Sequence, residues 1–206
     1  SEVKRAMLIA FGLTALCGLP LVLFVDWKLV IVGIAAIAAG WFYTGGSRPY
    51  GYAGFGELFV FVFFGLVATV GSFYVQTLAI TWLAVVSGAA MGCLATALLV
   101  VNNLRDIPGD TEVGKRTLAV RLGDANTRWL YVALMVVPFL TLPVMAGVGE
   151  RPAAALAFVG LVMARRPVVA VLSGARGPQL IAVLGDTGRV QLVYGVLVAV
   201  GFLLGG

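Results

Sequence analysis

The sequence predicts an all-α protein, a multi-spanning bundle of about seven transmembrane helices forming one domain over residues 1–206. Three observations carry that expectation. Hydrophobic residues make up 61% and charged residues 11% of the 206 positions, and the mean hydropathy is +1.06, far from the balance of a water-soluble domain. Apolar runs of about 20 residues, the length that crosses a hydrocarbon layer about 30 Å thick, recur along the whole chain. Those runs are continuous and rich in Ala, Leu, Val and Gly rather than short and alternating, which argues against transmembrane strands.

With charges and Pro/Gly pairs as boundaries, the spans fall at about residues 4–25, 28–44, 57–75, 79–101, 124–147, 152–173 and 187–205. The first opens on Ser1-Glu2, a plausible N-cap with an acid in the first turn, so it reads as a helix start rather than a leader peptide. The second and third are separated by a Gly- and Tyr-rich loop, and the third and fourth by residues 76–78. Gly88-Ala-Ala-Met-Gly92 in the fourth is a small-residue element that could pack another helix. The sixth span is interrupted by Arg165-Arg166-Pro167 and is expected to be short or kinked. Residues 176–186, with Gly177-Pro178, read as a loop, so that Asp186 is expected first to cap the seventh helix, with an ion pair to Arg189 or an acceptor contact as the alternatives.

Charge confirms the count of spans. Alternating them places twelve of the 14 Lys and Arg residues on one side and only Lys28 and Arg151 on the other. The positive-inside rule makes the rich side cytoplasmic, in an inner (plasma) membrane, and a miscount of one helix would scramble the split. The sequence pI of about 9.6 therefore reports topology, and no nucleic-acid partner is expected. The chain has no His, which removes His-based acid–base catalysis and the common zinc sites. Cys17 and Cys93 lie in apolar runs without a Cys or His neighbour, so neither a disulfide framework nor a metal cluster is expected.

Against this background one segment stands out. Leu58–Leu104 contains no charge at all, whereas residues 102–116 hold six of the 23 charged side chains: Arg105, Asp106, Asp110, Glu112, Lys115 and Arg116, led by Asn102 and Asn103. Polarity of this density at a membrane edge is a functional-site hypothesis. Asp106 and Asp110 stand four apart, but Pro108-Gly109 between them predicts that the helix ends near Asp106 and folds back. Either geometry presents two hard oxygen ligands to one cation, and Mg²⁺ suits them because it keeps water and completes its shell with substrate phosphates. Lys115 and Arg116 cannot be metal ligands but can clamp those phosphates. Gly109–Lys115 matches the opening of a nucleotide P-loop, yet Arg116 replaces the required Ser/Thr and no strand precedes it. A second polar loop, Tyr43-Thr-Gly-Gly-Ser-Arg48-Pro-Tyr50-Gly-Tyr52-Ala-Gly-Phe55-Gly-Glu57, lies on the same side; Arg48 could close over a diphosphate, and Tyr43, Tyr50, Tyr52 or Phe55 could wall an aromatic acceptor.

The segment Asn102-Asn103-Leu-Arg-Asp106-xxx-Asp110-xxx-Gly-Lys115-Arg116 resembles the second aspartate-rich motif of the UbiA superfamily of intramembrane prenyltransferases. The Tyr43–Glu57 motif and the Phe-rich helix after it are similar to the 1,4-dihydroxy-2-naphthoate polyprenyltransferases of menaquinone synthesis, and the likeness runs through essentially the whole chain. The resemblance implies a Mg²⁺-dependent enzyme that moves a polyprenyl group from its diphosphate to dihydroxynaphthoate with loss of CO₂, giving demethylmenaquinol. Asp106 and Asp110 would be the catalytic metal ligands. Asn102 would support them, Arg48, Lys115 and Arg116 would grip the pyrophosphate, and Tyr43 would contact substrate. The family fold implies about nine helices with a first Asn-Asp-x-x-x-Asp motif between the first two, and that motif is absent here. The 206 residues thus look like the C-terminal seven helices, and the chain alone is expected to be inactive. Two alternatives stay open: another aromatic acceptor such as 4-hydroxybenzoate, or a membrane transporter or binding protein without catalysis. The sequence leaves the oligomeric state undecided.

Overall fold

The computed structural model describes residues 2–46 and 49–205. Among them are seven long helical segments: α1 (Glu2–Phe24), α2 (Leu29–Thr44), α3 (Gly56–Thr77), α4 (Trp82–Glu112), α5 (Leu118–Gly147), α6 (Pro152–Leu172) and α7 (Gln179–Leu204). Six of these are long and apolar enough to cross a membrane, and α2, at 16 residues, is shorter. A single 3₁₀ turn, Tyr50–Ala53, precedes α3.

The core forms around α4. Its buried side chains Leu94, Ala97, Val100, Val101 and Leu104 meet Tyr131, Met135, Phe139 and Leu142 of α5 and Val190, Tyr194 and Val198 of α7. Helix α4 packs extensively against both α3 and α5. By contrast α1 has no buried residue and touches chiefly α2. Two hydroxyl pairs tie α5 to α7 inside the apolar core. Tyr131 bonds Thr187 at 2.7 Å, and Tyr194 donates to the Pro138 carbonyl at 2.9 Å. Burial of these hydroxyls is tolerable only because each finds a partner.

Helices α3 and α4 approach more closely than side chains normally allow. The helical residues Phe61–Val67 of α3 form a π-type segment, and a Cβ placed on Gly65 there would stand 2.3 Å from the Gly92 Cα and 2.7 Å from the Gly88 carbonyl. The Gly88/Gly92 element is therefore consumed inside the chain: its small residues receive α3 backbone to backbone.

The alternation of helices is reproduced. The linkers at residues 49–55, 113–117 and 173–178 gather at one end, joined by Arg116 N–H to the Tyr52 carbonyl at 3.0 Å and by the Arg128 guanidinium to the Val171 and Ala175 carbonyls at the C-terminus of α6. At the opposite end the Tyr74 hydroxyl donates to Asp26 in the α1–α2 turn, and Arg151 donates to the Gly205 carbonyl.

Three expectations are corrected. Helix α4 does not stop near Asp106 but runs through Pro108 to Glu112. Proline removes only the donor that would reach the Leu104 carbonyl, and the true stop comes later, at Gly114. Ahead of the fifth span a short helix starts at Leu118 with Thr117 as N-cap, and the backbone breaks at Gly123 (φ 75°, ψ 171°), so the span itself begins near residue 124 as expected. The last helix begins at Gln179, so residues 179–186 are helical, not loop. Asp186 is consequently no cap; it pairs with Arg189 at 3.0 Å and Arg166 at 3.4 Å. The sixth span continues through Arg165-Arg166-Pro167 to Leu172, opening as a 3₁₀ stretch over Pro152–Phe158.

The α3–α4 contact makes a sharp prediction. Gly65→Ala should lower stability by about 1–3 kcal/mol, the usual cost of overpacking. Gly71→Ala, whose added methyl would meet nothing within 4 Å, should not. Thermal unfolding of the two variants in detergent compares them directly.

Candidate active site

The site is built on the far end of α4. At about 1.5 Å per residue a 31-residue helix is about 46 Å long, well beyond a hydrocarbon layer of about 30 Å, so its last turns project past the apolar zone. Asp106 and Asp110 occupy successive turns of this projection. Asp106 accepts two bonds from Arg105, at 2.7 and 2.9 Å, and a longer one from Asn102 at 3.4 Å. Asp110, 8% exposed, accepts from the Lys115 ammonium at 3.1 Å.

Helix α4 closes in a Schellman arrangement. Gly114 takes φ +73°, its N–H bonds the Thr111 carbonyl at 3.1 Å, and the Lys115 N–H bonds the Asp110 carbonyl at 2.8 Å. Those two bonds are the 5→2 and 6→1 pair that satisfies the last carbonyls, with glycine supplying the left-handed residue. The turn also delivers Lys115 back onto Asp110. Its hydrogen bond to that carboxylate, then the charge attraction behind it, holds the ammonium above the usual lysine range. The cation thus persists at low and neutral pH and is lost only as pH rises through that raised value.

The Tyr-rich loop docks on this turn. Arg116 donates its N–H to the Tyr52 carbonyl, and the Lys115 ammonium lies 4.8 Å from the centre of the Tyr52 ring. Arg121 Nε donates to the Arg116 carbonyl at 3.0 Å, leaving the Arg116 side chain exposed. Tyr43, at the end of α2, is within electrostatic reach of Glu57, Lys115 and Asp110. Below it opens an apolar groove of about 600 Å³ between α2 and α3, lined by Tyr43, Tyr50, Phe59, Phe63 and Phe64 among others. Tyr50 stacks on Phe59 with ring centres 3.9 Å apart and meets Tyr43 edge-on at 5.6 Å.

Of the residues singled out from sequence, Tyr43, Asn102, Asp106, Asp110, Lys115 and Arg116 come together at one end of the bundle. Arg48 lies outside the described residues. Three neighbours do more than the sequence assigned to them. Arg105 neutralises Asp106, Asn103 faces α3 rather than the acid pair, and Glu57 accepts from Asn103 Nδ2 at 2.9 Å. The signal for Glu57 was present: it is the single acid between Asp26 and Asp106. Among the described residues, no group of three or more acidic, Cys or His side chains is poised as a closed metal cage. Two carboxylates one turn apart instead fit a hard cation that draws its remaining ligands from water and substrate.

Residues 2–177 match the profile of the UbiA prenyltransferase family. The chain belongs to that family. It is 47% identical over 199 residues, 96% of its length, to a Mycobacterium tuberculosis protein named 1,4-dihydroxy-2-naphthoate octaprenyltransferase, covering 67% of that relative. An Escherichia coli protein of the same name is 43% identical over 141 residues, 66% of this chain and 46% of the relative. A human protein, UbiA prenyltransferase domain-containing protein 1, is 27% identical over 118 residues, 57% of this chain and 35% of that one. The chain thus spans about two thirds of its mycobacterial relative's length. Membership in the UbiA family agrees with the all-helical, multi-pass architecture, and these relatives' names lend no weight to a transporter.

The Schellman turn is the structural hinge of this site. Gly114→Ala forces a side chain into the left-handed region at a cost of about 1–2 kcal/mol and is expected to weaken pyrophosphate binding to the protein. Calorimetric titration with pyrophosphate, with Gly109→Ala as the comparison because its methyl would meet nothing within 4 Å, measures the difference.

Proposed function

We propose that this protein transfers a polyprenyl group from polyprenyl diphosphate to 1,4-dihydroxy-2-naphthoate, releasing CO₂ and pyrophosphate and yielding demethylmenaquinol. The observation that carries the reading is the convergence of Asp106, Asp110 and Lys115 at the projecting end of α4, beside an aromatic groove that opens between apolar helices. The names of the relatives supply the substrates. The polar end suits a diphosphate and the groove suits a ring or an isoprenoid, and one substrate that joins a charged head to an apolar tail needs both.

Asp106 and Asp110 would hold Mg²⁺, which supplies charge neutralisation to the leaving diphosphate. Lys115, Arg116 and Arg48 would bind the phosphate oxygens as the allylic C–O bond lengthens, placing fixed positive charge where negative charge develops. Lys115 and Arg105 now neutralise the two acids; a diphosphate offers those cations more oxygens, so substrate would draw them from the carboxylates. Asn102 would orient Asp106, and Tyr43 and Tyr50 would keep water from the allylic cation. The ring carbon then forms its bond to the allylic carbon, and the carboxylate leaves as CO₂ with its bonding electrons returned to the ring. The acid pair is assigned to the cytoplasmic face of an inner (plasma) membrane, since twelve of 14 basic residues share its side.

Asp106→Asn and Asp110→Asn should each reduce prenyl transfer by about 100-fold or more, the scale of losing one transition-state charge contact. Chelation should abolish activity, and added Mg²⁺ should restore it in the parent protein. Chromatographic detection of demethylmenaquinol formed by the full-length protein, with 4-hydroxybenzoate as a competing acceptor, decides the matter. Unchanged turnover by both Asn variants, or preferential prenylation of hydroxybenzoate, would defeat the reading.

A further inference from the structure

Glu57 has no role in the chemistry described so far, yet its placement is costly. It immediately precedes a run of 47 uncharged residues, Leu58–Leu104, and is 6% exposed. Asn103, a neutral amide, donates to one of its oxygens at 2.9 Å, and no Lys or Arg among the described residues forms an ion pair with it. A buried carboxylate serving only to join two helices would be better matched by a cation or replaced by an amide. A carboxylate accepts about four hydrogen bonds, so capacity remains for a donor from outside the protein.

Its depth identifies that donor. Asn103 precedes Asp106 by three residues and Asp110 by seven, which puts the Glu57–Asn103 pair about 4.5 and 10 Å nearer the bilayer along α4. On the opposite side, its chain neighbours Gly56 and Phe59 line the aromatic groove. Glu57 therefore stands one to two turns beneath the phosphate-binding end, between α4 and the face of α3 that lines the apolar groove. The allylic carbon of a prenyl diphosphate occupies that depth, because it is bonded to the head group on one side and to the tail on the other. A ring attacking that carbon must lie there too. Hydroxyl groups are what a hydroxylated naphthoate presents, and a neutral O–H donor suits a buried acid that no cation among the described residues pairs.

Resting on the function proposed above, we propose that Glu57, anchored by Asn103, is the acceptor-recognition residue: its carboxylate accepts a hydrogen bond from one ring hydroxyl of the naphthoate and turns the reacting carbon toward the allylic carbon. The bond also pushes electron density from the hydroxyl oxygen into the ring. No proton need be transferred for either effect.

The test uses the full-length protein with dihydroxynaphthoate and its two monohydroxy analogues, each lacking one hydroxyl, measured as substrates or competitive inhibitors. Glu57→Gln should lower kcat/KM for dihydroxynaphthoate about 10–100-fold, the scale of a hydrogen bond to a charged group, with the KM for polyprenyl diphosphate unchanged. The variant and parent should become alike for the one analogue that lacks the recognised hydroxyl. Asn103→Ala, which keeps the acid but frees it, should show a smaller loss with the same acceptor pattern, and it serves as the second variant should the first fold poorly. Equal losses on all three acceptors, or a raised KM for the prenyl diphosphate, would mark Glu57 as structural and overturn the assignment while leaving the parent reaction standing. A parent protein that prenylates no naphthoate would overturn both.

Discussion

A bilayer cannot hold bare charge, and the molecule's organisation follows from how it meets that constraint with one helix. Within α5 to α7 the helical charges are largely paired, Arg128 with Asp124 and Asp186 with Arg166 and Arg189. Helix α4 instead overshoots: its first two thirds are buried in the core, and its last two to three turns carry two amides, an arginine and three acids into the polar region. Because those turns continue a helix clamped by α3, α5 and α7, their side chains are held by the rigid part of the fold. A loop of equal polarity would have to order itself each time a ligand bound, at an entropic cost that the buried part of α4 has already met.

Close backbone packing sets the partner of that overhang. Gly65 of α3 enters the concavity made by Gly88 and Gly92 of α4, and this contact fixes the register of two antiparallel neighbours. From it, the first turn of α3 must lie beside residues 96–103 of α4, which is where Thr96 and Asn103 reach the Glu57 carbonyl and carboxylate. The Tyr-rich loop ahead of α3 has little choice but to cover the end of α4, and the Arg116–Tyr52 backbone bond secures it. A contact deep in the bilayer thus positions aromatic rings at the membrane edge.

Much of this was legible in the sequence because charge is scarce. Seven helices, their sidedness and the polar cluster all emerge from where Asp, Glu, Lys and Arg are missing, and hydrophobic length is the strongest pattern a membrane protein carries. What was not legible came from residues whose local preference was overridden. Pro108-Gly109 argues for a turn, yet the capping bonds available at Gly114 lie further along, and a helix anchored by thirteen buried residues upstream tolerates one missing bond. Gly177-Pro178 argues for a long loop, but only the turn itself is needed, and Leu180 and Val183 are drawn into the core immediately after it. Glu57 served as a mere boundary marker because its partner, Asn103, is 46 residues away, and no local spacing announces such a pair.

The charge at the end of α4 favours the proposed ligand site over a simple helix stop. A helix C-terminus carries partial negative charge, and stable helices favour Lys or Arg in the last turn by about 0.3–1 kcal/mol each. Here the last turn has no basic residue, and Asp106, Asp110 and Glu112 add like charge to the negative pole. The cations that offset them come from Arg105 on the same helix and from Lys115 beyond the stop, reached only because Gly114 bends the chain back. Stability alone would have selected the opposite arrangement, with bases on the helix and acids in the loop. Acids gathered against the dipole, with cations held at their margin rather than among them, make sense where further positive charge is to be bound.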